Sequence, residues 1–82
     1  MSEQEFVRRT QALRMRLYRT AYAYLGGEAA ALDAVDEAVY EFYQKVGRTA
    51  GGLPPEKVMA DALFKLAGEL SLQALHEKSK KK

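Results

Sequence analysis

The stretch LDAVDEAVYEFYQKV, residues 32–46, decides the fold, because it separates apolar from acidic residues only when it is wound as a helix. Its larger apolar residues step by three and four positions, which is the spacing of one face of an α-helix. These residues are Leu32, Val35, Val39, Phe42 and Val46. The carboxylates fall on the opposite face, and the function depends on what that acidic face contacts.

A first helix is predicted upstream, over about residues 3–25. Ser2 and Glu5 have the S-x-x-E spacing of a capping box, and Gly26 with Gly27 marks the helix end. Its apolar face is expected to hold Phe6, Thr10, Leu13, Leu17, Ala21 and Tyr24, flanked by Val7, Tyr18 and Leu25. Because the Gly-Gly junction is short, this helix and the second one, over about residues 28–46, should lie antiparallel.

A third helix is predicted over about residues 55–78, after a loop at residues 47–54. The segment GRTAGGLPPE contains three glycines and two prolines, which do not sustain a helix. Pro54 or Pro55 suits the first helical position, where a missing N–H costs nothing. The expected apolar stripe of this helix is Met59, Leu63, Leu66, Leu70 and Ala74. The chain should therefore form one all-α three-helix bundle, a single domain over residues 1–82 with a basic frayed tail at 78–82.

Composition excludes several classes of function. The 82 residues contain no cysteine, so disulfides, thiolate metal sites and cysteine nucleophiles are absent. No apolar run approaches the roughly 20 residues of a membrane span, so a cytoplasmic protein without membrane contact is expected. His76 is the single histidine, and the acids lie along one helix face rather than in a cleft. We therefore expect no catalysis, no metal site and no cofactor.

The charge is distributed in a basic, acidic, basic order, although the net charge is only +2. Four arginines fall on one face of the first helix, and lysines end the chain. Such clusters can neutralise phosphates, or can serve only as a solubilising surface. The candidate nucleic-acid contacts are Arg8, Arg9, Arg16, Arg19, Lys78 and Lys80.

The pattern also resembles a known family. LYRTAYAYLGGEAAALDAVDEAVYEFYQKV, residues 17–46, resembles region 2 of the sigma-70 family, especially the extracytoplasmic-function type of bacterial sigma factor. The positions that keep the family's character are Leu17, Tyr18, Ala21, Leu25, Gly26, Ala31, Asp33, Ala34, Val35, Glu37 and Phe42. The last helix follows the family at Leu63, Phe64, Leu66, Ala67, Leu70, Leu72 and Leu75. The resemblance covers about residues 13–82 and implies the helical fold of sigma region 2.

This resemblance implies a partner for the acidic face. In sigma factors that face docks on the clamp helices of the RNA polymerase β′ subunit, which present arginines. By position Asp33, Asp36 and Glu37 would make the contact, with Tyr40 and Tyr43 as flanking area. Acids opposite an apolar stripe are also what any solvated amphipathic helix shows, so periodicity by itself leaves their role open.

The departures from the family lie in the part that reads DNA. The loop before the last helix has no aromatic residue to stack on bases, and Ala62 stands where tryptophan is common. Glu69, Gln73 and His76 stand where the family prefers Asn, Asp and Arg, and a glutamate repels phosphates. These changes argue against recognition of promoter DNA.

In a complete protein, 82 residues would also leave no room for the domain that reads the −35 element. The resemblance then implies a co-sigma subunit in transcription initiation, with a separate partner supplying that domain.

A different class of function is a helical self-associating interaction module that has lost DNA function. Phe64, Leu72 and Leu75 lie off the predicted stripe of the third helix. An exposed apolar patch on so small a domain normally marks a contact, and here the contact would form a homodimer. The two functions are compatible, because a dimer can either cover the acidic face or leave it open.

Overall fold

Three α-helices make up the described part of the chain. The computed structural model describes residues 3–47 and 52–80, with side chains as far as residue 77. The helices are α1 (Glu3–Leu25), α2 (Glu28–Gly47) and α3 (Glu56–Lys80), and each packs against the other two. No strand occurs in these ranges, so the predicted all-α three-helix bundle is confirmed.

Some sequence predictions fall outside this range. Ser2, the first half of the predicted capping box, lies outside the described residues, and so does the loop segment 48–51. Helix α3 continues to Lys80, two residues beyond the predicted end. Among the described helices, none has the length and apolar character needed to cross a membrane.

The turn between α1 and α2 is built by two adjacent glycines. Gly26 has a φ of 70°, and its N–H donates to the Tyr22 carbonyl at 2.7 Å, which closes α1. The Gly27 carbonyl accepts from the Ala31 N–H at 3.0 Å, which opens α2. The chain therefore reverses within two residues, as the sequence predicts.

The start of α3 lies beside the first half of α1. The Pro55 carbonyl accepts from the Met59 N–H at 2.9 Å, so Pro55 directly precedes the helix, which begins at Glu56. The Arg9 guanidinium donates to the Pro54 carbonyl at 2.6 Å. This bond fixes the end of the connecting segment against α1.

Among the described residues, the core combines seven larger apolar side chains with five alanines and one serine. Leu17, Met59 and Leu63 are fully buried. The small buried residues are Ala21, Ala31, Ala34, Ala38, Ala67 and Ser71. Small side chains let helices approach closely where they pack against each other.

Two residues predicted to lie in the core are exposed. Leu32 is 36% exposed and Tyr24 is 42% exposed, whereas Ala31 and Ala21 are completely buried. Each residue turns an α-helix by about 100°, so a shift of the contact line by one position moves a side chain from the core to its edge. The prediction for Leu32 is therefore wrong because Ala31 occupies the contact line. The prediction for Tyr24 is wrong because Leu25, the next residue, packs against the core instead.

The buried row of α3 also differs from the predicted stripe. After Met59 and Leu63 it continues through Ala67 and Ser71, while Leu66 and Leu70 are only partly buried on its edge. The Ser71 hydroxyl donates to the Ala67 carbonyl at 2.7 Å, so this buried polar group is satisfied. The row steps by four residues each time and therefore winds slowly around the helix.

One substitution at two glycines should have opposite effects on stability. Gly26→Ala should lower the free energy of unfolding by about 1–2 kcal/mol, because the left-handed backbone crowds an alanine Cβ. Gly68→Ala, inside α3, should raise it by about 0.5–1 kcal/mol, since the added Cβ has no atom within 4 Å. Urea denaturation at low protein concentration, followed by circular dichroism, measures both. Changes of the same sign would contradict this assignment of the turn.

Candidate protein-docking site

The three acids proposed as partner contacts lie on the outer surface of α2. Asp33, Asp36 and Glu37 are all exposed. Their spacing within one turn and the burial of the alanines on the opposite side place them together, away from the core. The structure therefore brings the predicted acids to one accessible surface.

The three acids do not have the same surroundings. Asp36 accepts a hydrogen bond from Arg14 of α1 at 2.7 Å, and both side chains of this ion pair are about half exposed. Asp33 and Glu37 form no ion pair or hydrogen bond with any other described side chain. Glu41, one turn farther along, has one carboxylate oxygen buried without a hydrogen bond from the described residues. Asp33 and Glu37 are therefore the acids most open to a partner.

The two tyrosines proposed as flanking contacts also differ. Tyr40 is 62% exposed, and its hydroxyl accepts a hydrogen bond from Gln44 at 2.8 Å. Tyr43 is half-buried, with its ring edge-on to Phe6 at a centroid distance of 5.1 Å. The Tyr43 hydroxyl donates to Glu3 at 2.9 Å, and this bond raises the pKa of Tyr43. Tyr40 is thus available to a partner, whereas Tyr43 mainly joins α2 to α1.

An apolar groove lies beside the acids, where α1 and α2 meet. Met15 is 62% exposed and lines this groove opposite Leu32. The remaining lining residues are Gln11, Arg14, Tyr18 and Glu28. Tyr22, whose ring lies 5.7 Å from that of Tyr18, extends the apolar surface toward the Gly-Gly turn. We call this feature, from Gln11 to Leu32, the α1–α2 groove.

The sequence does not single out Met15 as a surface contact. A large apolar residue outside the predicted stripe of α1 was the available signal. The position of Met15 indicates a contact surface only together with Leu32 of α2, which lines the same groove. The groove is therefore a product of helix pairing rather than of either helix by itself.

The arginines proposed as nucleic-acid contacts divide into two pairs. Arg8 and Arg9 both bind the Glu5 carboxylate, and these hydrogen bonds lower the pKa of Glu5. Arg16 and Arg19 are exposed and make no ion pair within the part of the chain described by the structure. The proposed contacts Lys78 and Lys80 have side chains outside the described set. The four arginines therefore do not form one uniform basic surface.

The residues proposed for self-association lie along α3. Leu72 is 53% exposed. Phe64 and Leu75 are half-buried, and Phe64 packs against the edge of the core. No group of three or more potential metal-ligating side chains occurs among the described residues, and His76 is exposed.

Comparison of the chain with protein-family models, curated proteins and solved structures finds no match. The resemblance to sigma-70 region 2 therefore stays a prediction that rests on the residues quoted above.

The different roles of the two tyrosines can be measured. Tyr43→Ala should lower the free energy of unfolding by about 2–4 kcal/mol, because it removes a ring packed on Phe6 and opens a cavity. Tyr40→Ala is the matched control and should change it by less than about 0.5 kcal/mol, since Tyr40 lies mostly in solvent. Urea denaturation of both variants measures the difference. Similar losses from the two substitutions would show that Tyr40 also belongs to the core.

Proposed function

We propose that this protein is a non-catalytic docking module that binds a basic helical surface through the acidic face of α2. The observation that carries the proposal is that Asp33 and Glu37 stand exposed and unpaired among the described residues, one turn apart. The resemblance to sigma-70 region 2 suggests the partner, the β′ clamp helices of RNA polymerase. The corresponding role is that of a co-sigma subunit in transcription initiation.

The charge on this face favours arginine as the complementary group. Carboxylates three or four positions apart on a helix lie side by side and repel each other in the free protein. A guanidinium placed between them relieves this repulsion and donates two parallel hydrogen bonds to a carboxylate. Charge pairs of this kind fix orientation and accelerate association more than they add affinity. The acids would therefore select and orient the partner.

The α1–α2 groove supplies apolar contact area, which the charged residues do not provide. Exposed ion pairs contribute little net free energy, so a docking surface needs apolar area as well. Met15 and Leu32 provide such area next to the acids, and Tyr40 adds an aromatic ring on the outer side. The partner that fits both features is an amphipathic helix with an apolar face and a basic edge.

Reversing the two free acids should weaken docking strongly. Asp33→Arg combined with Glu37→Arg should weaken binding to purified bacterial RNA polymerase core about a hundredfold, because arginines of the partner would then face arginines. Biolayer interferometry with immobilised protein measures the affinity, and circular dichroism checks that the helices are intact.

The matched control reverses two exposed acids of α3. Asp61→Arg combined with Glu77→Arg makes the same change in net charge on a different helix and should leave the affinity within about twofold. Equal losses from both double variants would indicate a general charge effect. Unchanged affinity of the α2 variant would refute docking through the acidic face.

The ion pair between α1 and α2 should weaken docking slightly. Arg14 neutralises Asp36, so a basic partner must compete with it for that carboxylate. Arg14→Gln should therefore tighten binding by up to about fivefold, the equivalent of the at most about 1 kcal/mol of an exposed ion pair. Arg16→Gln removes the same charge from an arginine without an ion pair among the described residues and should have a smaller effect. Weaker binding of the Arg14 variant would instead mean that Arg14 contacts the partner.

A further inference from the structure

Gly68 lies in the middle of α3, where neither side-chain packing nor backbone conformation requires a glycine. A Cβ added there would meet no atom within 4 Å, and its φ is not positive. Glycine is among the least favourable residues in a helix interior, and alanine would fit this position without strain. A glycine that the monomer does not need is explained if another backbone approaches it closely.

Apolar side chains flank this glycine one turn away on each side. Phe64 precedes Gly68 by four residues and Leu72 follows it by four, so all three share a face of α3. Leu72 is 53% exposed, and Phe64 is covered on only part of its surface. We call Phe64, Gly68 and Leu72 the Gly68 row.

We propose that a second copy of this chain binds along the Gly68 row, with the two α3 helices antiparallel about a two-fold axis at Gly68. The row has an apolar residue four positions before Gly68 and another four positions after it, so Phe64 of each copy can contact Leu72 of the other, as a two-fold interface requires. In this arrangement Phe64 of one copy packs on Leu72 of the other, twice. The two glycines face each other and let the backbones approach.

The charges beside the row complement each other under the same symmetry. Lys65 and Glu69 are the only charged residues between positions 64 and 72, and both are exposed. Neither forms an ion pair with another side chain in the described residues. Lys65 lies three residues before Gly68 and Glu69 one after it, so the axis brings Lys65 of one copy within about 3 Å, along the helix, of Glu69 of the other. Two equivalent ion pairs would form. The two Glu69 residues are equally close along the helix, but each lies about 100° around α3 from Gly68, farther from the partner than Lys65 at about 60°.

This interface is separate from the docking face. The Gly68 row belongs to α3, whereas the acids and the α1–α2 groove belong to the other two helices. A contact over about two helical turns is small, so the dimer should be weak and concentration-dependent. The dimer can be tested without any transcription protein, and its failure would leave the docking proposal intact.

Sedimentation equilibrium of the purified chain over a wide range of concentrations tests the proposal. We expect a reversible monomer–dimer equilibrium. Leu72→Gln should raise the dimer dissociation constant at least about tenfold while the monomer stays folded, because Leu72 is mainly exposed. A monomer at every concentration, or a dimer unaffected by Leu72→Gln, would overturn the proposal.

A charge swap tests the antiparallel geometry. Lys65→Glu or Glu69→Lys, made singly, should weaken the dimer, because each places like charges opposite each other. The double variant should restore the dissociation constant to within about threefold of the original chain. A dimer that responds to neither single change, or that the double change does not restore, would rule out this arrangement.

Gly68→Ala should change monomer stability and dimer affinity in opposite directions. It should raise the midpoint of thermal unfolding of the monomer, because alanine favours the helix, and also weaken the dimer at least about tenfold, because the methyl groups separate the backbones. A variant that gains thermal stability and dimerises as well as the original chain would show that no backbone approaches Gly68.

Discussion

The packing of three helices around one shared core determines which face of each helix is buried and which face is left for contact with other molecules. The buried residues of α2 include Ala31 and Ala38, whereas α1 and α3 bury Leu17, Met59 and Leu63. Alanine buries little apolar area, and much of the hydrophobic stabilisation therefore falls to Leu17, Met59 and their few large neighbours. A domain of this size has little stability to spare, which makes each large core residue important.

The same constraint creates the surface that is proposed to dock. Because alanines occupy the contact line of α2, Leu32 lies at its edge, where it meets Met15 of α1. The acids lie one step farther around the helix. An apolar groove and a row of carboxylates therefore become neighbours.

Ion pairs within the fold divide the charged residues into engaged and available groups. Glu5 holds Arg8 and Arg9, and Arg14 holds Asp36. The Arg8–Glu5 and Arg14–Asp36 pairs are exposed and contribute little to stability, whereas the Arg9–Glu5 pair is partly buried. All three change which charges a partner meets first. A count of acidic and basic residues is thus a poor guide to the electrostatic potential at the surface, because the sequence does not distinguish paired charges from unpaired ones.

The helices themselves were determined by the sequence, whereas the use of their faces was decided by tertiary structure. Helix periodicity and the Gly26 turn depend on local hydrogen bonds and backbone sterics, so the sequence is sufficient to place all three helices. The choice of Ala31 over Leu32, or of Ala67 over Leu66, depends on how closely the helices pack, and neighbouring residues differ by only about 100° of rotation. The pairing of Arg14 with Asp36 likewise joins residues 22 positions apart. Such contacts are set by the relative placement of whole helices, which local periodicity does not specify.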